Sequence, residues 1–302
     1  MANWVDLIDP SPEQLRAELP TNLQESAVEA LLAPPRHDDE PRPTLHAHGD
    51  YIFGIFLIAI AVKDEDRVFY QEVDAIATRD KLITVSKTPQ GEHPYDPRPV
   101  QEACRPDDSG GMMLYRLVDD IADRYLDLVD AIDEEIDQLE DTVETNDADT
   151  TRNRISELRH DLLHVRRTLA PTRDAVRRVV DNVIEVESGD EVFPREVEIA
   201  FNSAYDKLLR AFDGLELSRD LIASVRDYLQ AKIANDQNEV MKRLTAIASL
   251  LLLPTFIVGL YGQNFRHHFP ELGWQWGYLW SWGLIVATTV LQLIYFRRKR
   301  WI

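Results

Sequence analysis

The chain has 302 residues, with 33 Lys and Arg against 53 Asp and Glu, for a formal net charge of −20. That length suffices for one globular domain plus an extended helical region, and so large an acidic excess repels phosphate backbones, which excludes a nucleic-acid partner and favours cations. The single cysteine, Cys104, rules out an intrachain disulfide and fits a reducing compartment.

Residues 1–110 read as a small cytoplasmic α/β domain. The first thirty residues show no basic start followed by an apolar core, so no export of this part is expected. Strands are expected at Trp4–Ile8, Tyr51–Val62, Val68–Ala77 and Lys81–Ser86, where β-branched or alternating apolar residues gather. Ser11-Pro12 reads as a helix start, with Ser as N-cap and Pro at the first helical position, leading into Glu13–Leu19. Pro34-Pro35 and Pro41-Arg42-Pro43 mark a loop, and residues 88–110, with five prolines and Gly110-Gly111, read as a linker.

Residues 111–190 read as an acidic antiparallel helical hairpin. Ile121, Tyr125, Leu128, Ile132, Ile136, Leu139 and Val143 make one stripe, and Ile155, Leu158, Leu162, Val165 and Leu169 a second, which meets Pro171 where a kink is expected. The polar stretch Thr145–Thr151 is the expected turn. Asp119–Glu144 holds twelve Asp or Glu and one Arg, which reads either as a solvated face or as a weak, open surface that concentrates cations. His160 and His164, at helical spacing among Arg159, Arg166 and Arg167, read as a solvated basic face, since metal ligands need to be clear of neighbouring positive charge.

A third helix is expected from near Pro194 to Gly262, with no stop signal between. Its cytoplasmic part, 191–243, carries the stripe Ile222, Val225, Leu229, Ile233, Val240, Leu244 straight into a charge-free run, 244–262, long enough to cross a membrane. A rod on the order of 100 Å follows from about 1.5 Å per residue, and such a rod implies a bundle across subunits. A loop at 263–275 leads to a second span, 276–296, and a basic tail, 297–302. Lys242, Arg243 and Arg297–Arg300 flank the cytoplasmic ends whereas the loop carries only Arg266, so both termini are expected inside. Asn238, Thr245, Leu252, Thr255, Gly259 and Gly262 recur at spacings of three, four or seven, which puts a polar-to-apolar face on the first span as a narrow pore would need.

Tyr261-Gly262-Gln263-Asn264-Phe265 at the end of the first span, Pro270-Glu271-Leu272 in the loop, the aromatic entry Trp274-Gln275-Trp276-Gly277-Tyr278 and the basic tail resemble the CorA family of divalent-cation (magnesium/cobalt) transport proteins, of the two-span Gly-x-Asn type. Asn238–Thr245 and Pro254–Gly259 are similar to that family as well. The resemblance is dense over 235–302; over 1–234 it rests on element order. It implies an α+β membrane protein with an α/β cytoplasmic domain, a long helical funnel or stalk and two C-terminal transmembrane helices, assembled as a homopentamer among membrane lipid. It further implies a selectivity ring of Asn264 with Gly262 and Gln263, and a pore lined by Asn238, Met241, Leu244, Thr245, Leu252, Thr255 and Gly259. Mg²⁺ is then substrate and candidate regulator, and no cofactor is expected. Gln263 stands where the magnesium-type motif has Met, and Ser203 where the family's inner sensor has a carboxylate; Asp206, one turn on, with Asp80 is the substitute pair.

His267-His268 read as polar loop residues, and Glu271 either as solvated or as raising cation concentration at the mouth. No phosphate-cradling Gly-rich loop, nucleophile elbow or His-Glu-x-x-His occurs, so no enzyme is expected. The expected function is passive influx of Mg²⁺, with Co²⁺ or Ni²⁺, across the cell membrane. The alternatives are a proton-coupled zinc transporter of the same superfamily, which Gln263 keeps open, and a membrane-anchored coiled-coil scaffold.

Overall fold

Alternating and β-branched stretches of the first ninety residues form strands, and the two long stripes that follow form helices. In the computed structural model, which describes residues 3–20, 23–34, 40–62, 67–89, 91–184, 192–263 and 274–302, the elements in chain order are β1 (Trp4–Ile8), α1 (Pro12–Glu18), α2 (Glu25–Leu32), β2 (Thr44–His48), β3 (Tyr51–Val62), β4 (Arg67–Ala77), β5 (Leu82–Lys87), α3 (Arg98–Glu102), α4 (Gly110–Thr142), α5 (Ala148–Val180), α6 (Arg195–Tyr261) and α7 (Gly277–Arg298). The chain divides into two units, Met1–Val225 and Arg226–Ile302.

In the first unit the five strands form one sheet in the order β1-β5-β4-β3-β2. β1 pairs with β5 in parallel and every other pairing is antiparallel. Ser11 caps α1 as its sequence demands: its hydroxyl accepts from the Gln14 amide at 3.3 Å while the Gln14 side chain accepts from the Ser11 amide at 3.0 Å. Leu15 of α1 and Ala27 and Leu31 of α2 bury against Tyr51, Phe53, Ile76, Ile83 and Val85 of the sheet. From α4, the fully buried Tyr125 donates its hydroxyl to the Leu57 carbonyl of β3 at 3.1 Å.

Three buried charges lie within this sheet. Lys87 donates to Glu72 and to the Ala30 carbonyl at 2.6 Å, and its ammonium stands 2.8 Å from Asp74 Oδ2, close but not aligned as a hydrogen bond. Burial pushes the Asp74 carboxyl up to about 7; Lys87 opposes that shift and Glu72 adds to it.

Several expectations change. β2 and α2 are not expected from the sequence: the five residues of β2 and the eight of α2 are too short for a readable period, and α2 starts without a side-chain cap. The stretch 88–110 is more than a linker: it contains α3, and buried Tyr95 there donates its amide to Gln71 at 2.6 Å and its hydroxyl to Asp120 at 2.9 Å. The expected kink at Pro171 does not divide α5, which runs from Ala148 to Val180 with that proline inside it and Thr168 and Thr172 packed in the interior. The acidic window is partly neutralised: Asp119 and Asp123 bind Lys207 at 2.9 and 2.8 Å, Asp120 binds Arg124, and Glu135 binds Arg154. His164 is half-exposed but not free, since it pairs with Glu40 at 2.7 Å and packs on the Tyr70 ring.

Gly110-Gly111 let α4 start in tight contact with its surroundings. A Cβ on Gly110 would stand 2.0 Å from the Thr78 carbonyl oxygen, and one on Gly111 would stand 2.1 Å from that of Val192. The Gly110 amide also donates to Arg79 O at 2.8 Å. Gly110→Ala is therefore expected to destabilise the first unit by about 1–3 kcal/mol, the usual cost of overpacking. A lowered melting temperature of the detergent-solubilised chain checks this, and an unchanged one contradicts it.

Candidate functional site

The second unit holds the C-terminal part of α6 and α7. Both helices are long and apolar enough to cross a membrane, and only 11% and 6% of their most apolar windows is buried within the chain, so neither is the core helix of a soluble domain. α7 carries its positive charges, Arg297 and Arg298, in its last turn.

α6 meets α7 along one face. Ala246 and Ile257 are buried there, and Ser249, Leu250, Leu253 and Pro254 are half-buried beside them. Gln292 of α7 donates its amide to the Ser249 carbonyl at 3.2 Å, while its own buried carbonyl oxygen has no hydrogen-bond partner. Sequence reading passed over Gln292; the available signal was a lone amide in a charge-free span.

At 100° per residue two rows of α6, each stepping by seven, lie away from Ala246 and Ile257: Met241, Ala248, Thr255, Gly262 on the opposite face, and Asn238, Thr245, Leu252, Gly259 beside it, where Leu252 borders a groove that Gln292 of α7 also lines. All eight are exposed in the chain, Leu252 to 71%. An apolar helical face left bare this way in a membrane-length segment is a surface for other helices, and a seven-residue repeat is the spacing of associated helices. Ala248 completes the first row and was missed because alanine carries no pattern of its own.

The polar members of these rows have a defined chemistry. Thr245 donates its hydroxyl to Met241 O at 2.8 Å and Thr255 to Leu251 O at 2.7 Å. With its proton committed to the helix, each hydroxyl presents acceptor lone pairs outward. Acceptors suit the water hydrogens of a hydrated cation.

Gly262 ends the helix, its amide donating to Val258 O at 2.9 Å. It does so without a left-handed backbone; a Cβ here would stand 3.0 Å from that same carbonyl oxygen, tighter than ordinary contact. Gln263 follows, exposed. Asn264, Glu271, His267 and His268 lie outside the described residues.

Asp80 sits in the exposed turn between β4 and β5, and Asp206 on the exposed side of α6. Neither belongs to a group of three or more metal-ligating side chains, of which the described residues contain none. Burial raises the Tyr115 hydroxyl above its ordinary range, and Ser203 opposes that rise.

A family model described as CorA-like Mg²⁺ transporter protein matches residues 2–298. The Cobalt/magnesium transport protein CorA of Thermotoga maritima is 33% identical over 190 residues, which is 63% of this chain and 52% of that protein. The Putative metal ion transporter YfjQ of Bacillus subtilis is 34% identical over 193 residues, 63% of this chain and 58% of the relative. These matched stretches thus span little more than half of each relative's length. The complete structure of the CorA magnesium transporter from Methanocaldococcus jannaschii superposes with a TM-score of 0.78 over 99% of this chain and 91% of that one, at 20% identity, a likeness of fold.

Proposed function

Because the chain belongs to the CorA-like Mg²⁺ transporter family, we propose that it is a passive divalent-cation channel of the cytoplasmic membrane, a homopentamer that admits Mg²⁺ and, secondarily, Co²⁺ or Ni²⁺. The observation that carries this reading is the face of α6 turned away from α7. Its two seven-residue rows are exposed among the described residues, and copies of α6 meeting along them would enclose a passage.

Mg²⁺ gives up its octahedral water shell reluctantly, so a site for it must recognise the waters as well as the charge. In this reading a ring of Asn264 amide oxygens and the backbone carbonyls of Gly262 and Gln263 accept hydrogen bonds from those waters at the mouth. The Thr255, Thr245 and Asn238 oxygens repeat the acceptor pattern farther in. Leu252, Leu244 and Met241 narrow the path with apolar surface, which gates by dewetting. The membrane potential, about 2.3 kcal/mol per charge per 100 mV and about twice that for a divalent ion, drives influx without an enzyme's energy source.

The test is Mg²⁺ uptake into proteoliposomes holding wild-type or Asn264→Ala protein, with Zn²⁺ and a proton gradient run in parallel. Uptake of Mg²⁺ that needs no proton gradient and falls to the level of protein-free vesicles in the variant is the expected result. Zn²⁺ flux alone, dependent on protons, would move the reading to a zinc carrier, the outcome that Gln263 in place of Met would then explain. No flux of either ion would leave a scaffold.

A further inference from the structure

Away from the membrane spans, the first unit contains a cavity of about 830 Å³ between α5 and the segment that leads into β2. Its walls bring together three guanidiniums, of Arg42, Arg166 and Arg167, and two imidazoles, of His160 and His164, against one carboxylate, Glu40. In a chain of net charge −20 that local excess of cations runs against the whole.

The partners already present decide which of these charges is available. Glu40 is committed to His164 at 2.7 Å, and Arg166 to Glu216 at 3.2 Å. Arg42 and Arg167 make no ion pair among the described residues. Asp161 acts on the Tyr70 hydroxyl along with Glu40 but does not line the cavity.

The remaining wall is built for something larger than a bare anion. Leu57, Leu163 and Pro171 give it apolar surface. The His164 ring is fixed 4.4 Å from that of Tyr70. Pro171 has no amide hydrogen, so the carbonyl of Arg167, four residues earlier, loses its helix donor and is left as an acceptor on the same side of α5. A volume in this range, roughly 300–1,000 Å³, is that of small-molecule sites. Arginine forks match phosphate oxygens in pairs, and imidazole and guanidinium planes stack on flat rings.

We propose that this cavity binds a nucleoside phosphate, with its phosphate on Arg42 and Arg167 and its base against the apolar wall near His160. The site binds and does not hydrolyse: its one carboxylate is paired, and no Gly-rich phosphate loop lines it. It is independent of the ion pathway, and its failure would leave that reading untouched.

Calorimetric titration of the full chain in detergent with AMP, ATP and inorganic phosphate tests it. EDTA throughout keeps ATP's chelation of Mg²⁺ from imitating an effect. Saturable binding of AMP and ATP is expected, weakened at least about tenfold in Arg42→Glu and in Arg167→Glu, with phosphate alone binding at least about tenfold more weakly than AMP. Melting temperatures without ligand establish that the variants fold, and Arg42→Gln with Arg167→Gln replaces them if either does not. No binding, or binding unchanged in the variants, overturns the site. Phosphate as strong as AMP, or displacement of AMP by a short-chain anionic phospholipid at equal concentration, overturns the nucleotide and leaves a phosphate or headgroup site.

Discussion

Leucine in place of Gly259 is expected to bring Mg²⁺ flux down at least about tenfold, toward that of empty vesicles, while the subunit folds and assembles as before. A Cβ at this position meets nothing within 4 Å in the chain, so the larger side chain has room in the single subunit. Leucine is also the better helix former, by close to 1 kcal/mol. What it does meet lies outside the chain. If the proposed passage is lined by the row of Thr245, Leu252 and Gly259, every copy adds an isobutyl group to the same narrow level. Gly283 on α7 supplies the control, because a Cβ there also finds open space, yet it lies on the helix outside the proposed lining. Gly283→Leu should leave flux within about twofold of wild type, since isolated surface substitutions facing lipid cost little. Flux assays in proteoliposomes, with size-exclusion chromatography to verify assembly, separate the two. Normal conduction through the Gly259→Leu protein would remove the proposed passage from this face of α6.

Lys87→Met is expected to destabilise the first unit by about 3–5 kcal/mol above neutral pH, the cost of stranding buried carboxylates without their cation. Lys87 is the ammonium that Glu72 and Asp74 share, and all three side chains are nearly or fully buried. The pH dependence identifies the mechanism. In the wild type, burial already raises the Asp74 carboxyl to about 7 from its usual 3.8. The folded chain therefore holds this proton where the unfolded chain has released it, and stability contributed here declines as pH rises from about 4 to about 7. Without Lys87, Asp74 loses the charge that opposes desolvation, its pKa climbs further, and the decline continues to higher pH. The deficit of the variant against wild type should accordingly be largest at pH 8 and shrink at pH 5.5. Melting temperatures of both proteins at the two pH values measure it. An equal deficit at both would mean that the lysine acts through packing alone.

Elements with a strong period were legible in the chain itself. Four strands expected at Trp4–Ile8, Tyr51–Val62, Val68–Ala77 and Lys81–Ser86 lie within a residue of those found, and the hairpin of α4 and α5 and the single long helix expected from near Pro194 to Gly262 follow likewise from spacing of apolar residues, because each buries one face and the period names it. The membrane spans follow from length and absence of charge, and the start of α1 from Ser11 and Pro12, to which the structure adds the reciprocal bond of Gln14. The Tyr-Gly-Gln-Asn-Phe segment at the end of α6 and its flanks pointed to the family that the comparisons show.

Tertiary structure decided the rest, and in each case the deciding interaction joins residues far apart in sequence. No local pattern tells that Gly110 is needed because the Thr78 carbonyl presses on it, or that Lys87, Glu72 and Asp74 share one buried charge site. Nor does spacing tell that Glu40 takes His164 and so leaves Arg42 and Arg167, which line the same cavity, without an ion pair among the described residues. The repeat along α6 named a face but not which way it turns; that came from Ala246, Ile257 and the Ser249 carbonyl, which α7 covers, so that the rows through Thr255 and Gly259 stay exposed. Periodicity fixes which residues share a side, since that depends on backbone geometry alone. What the side meets depends on packing of the folded chain.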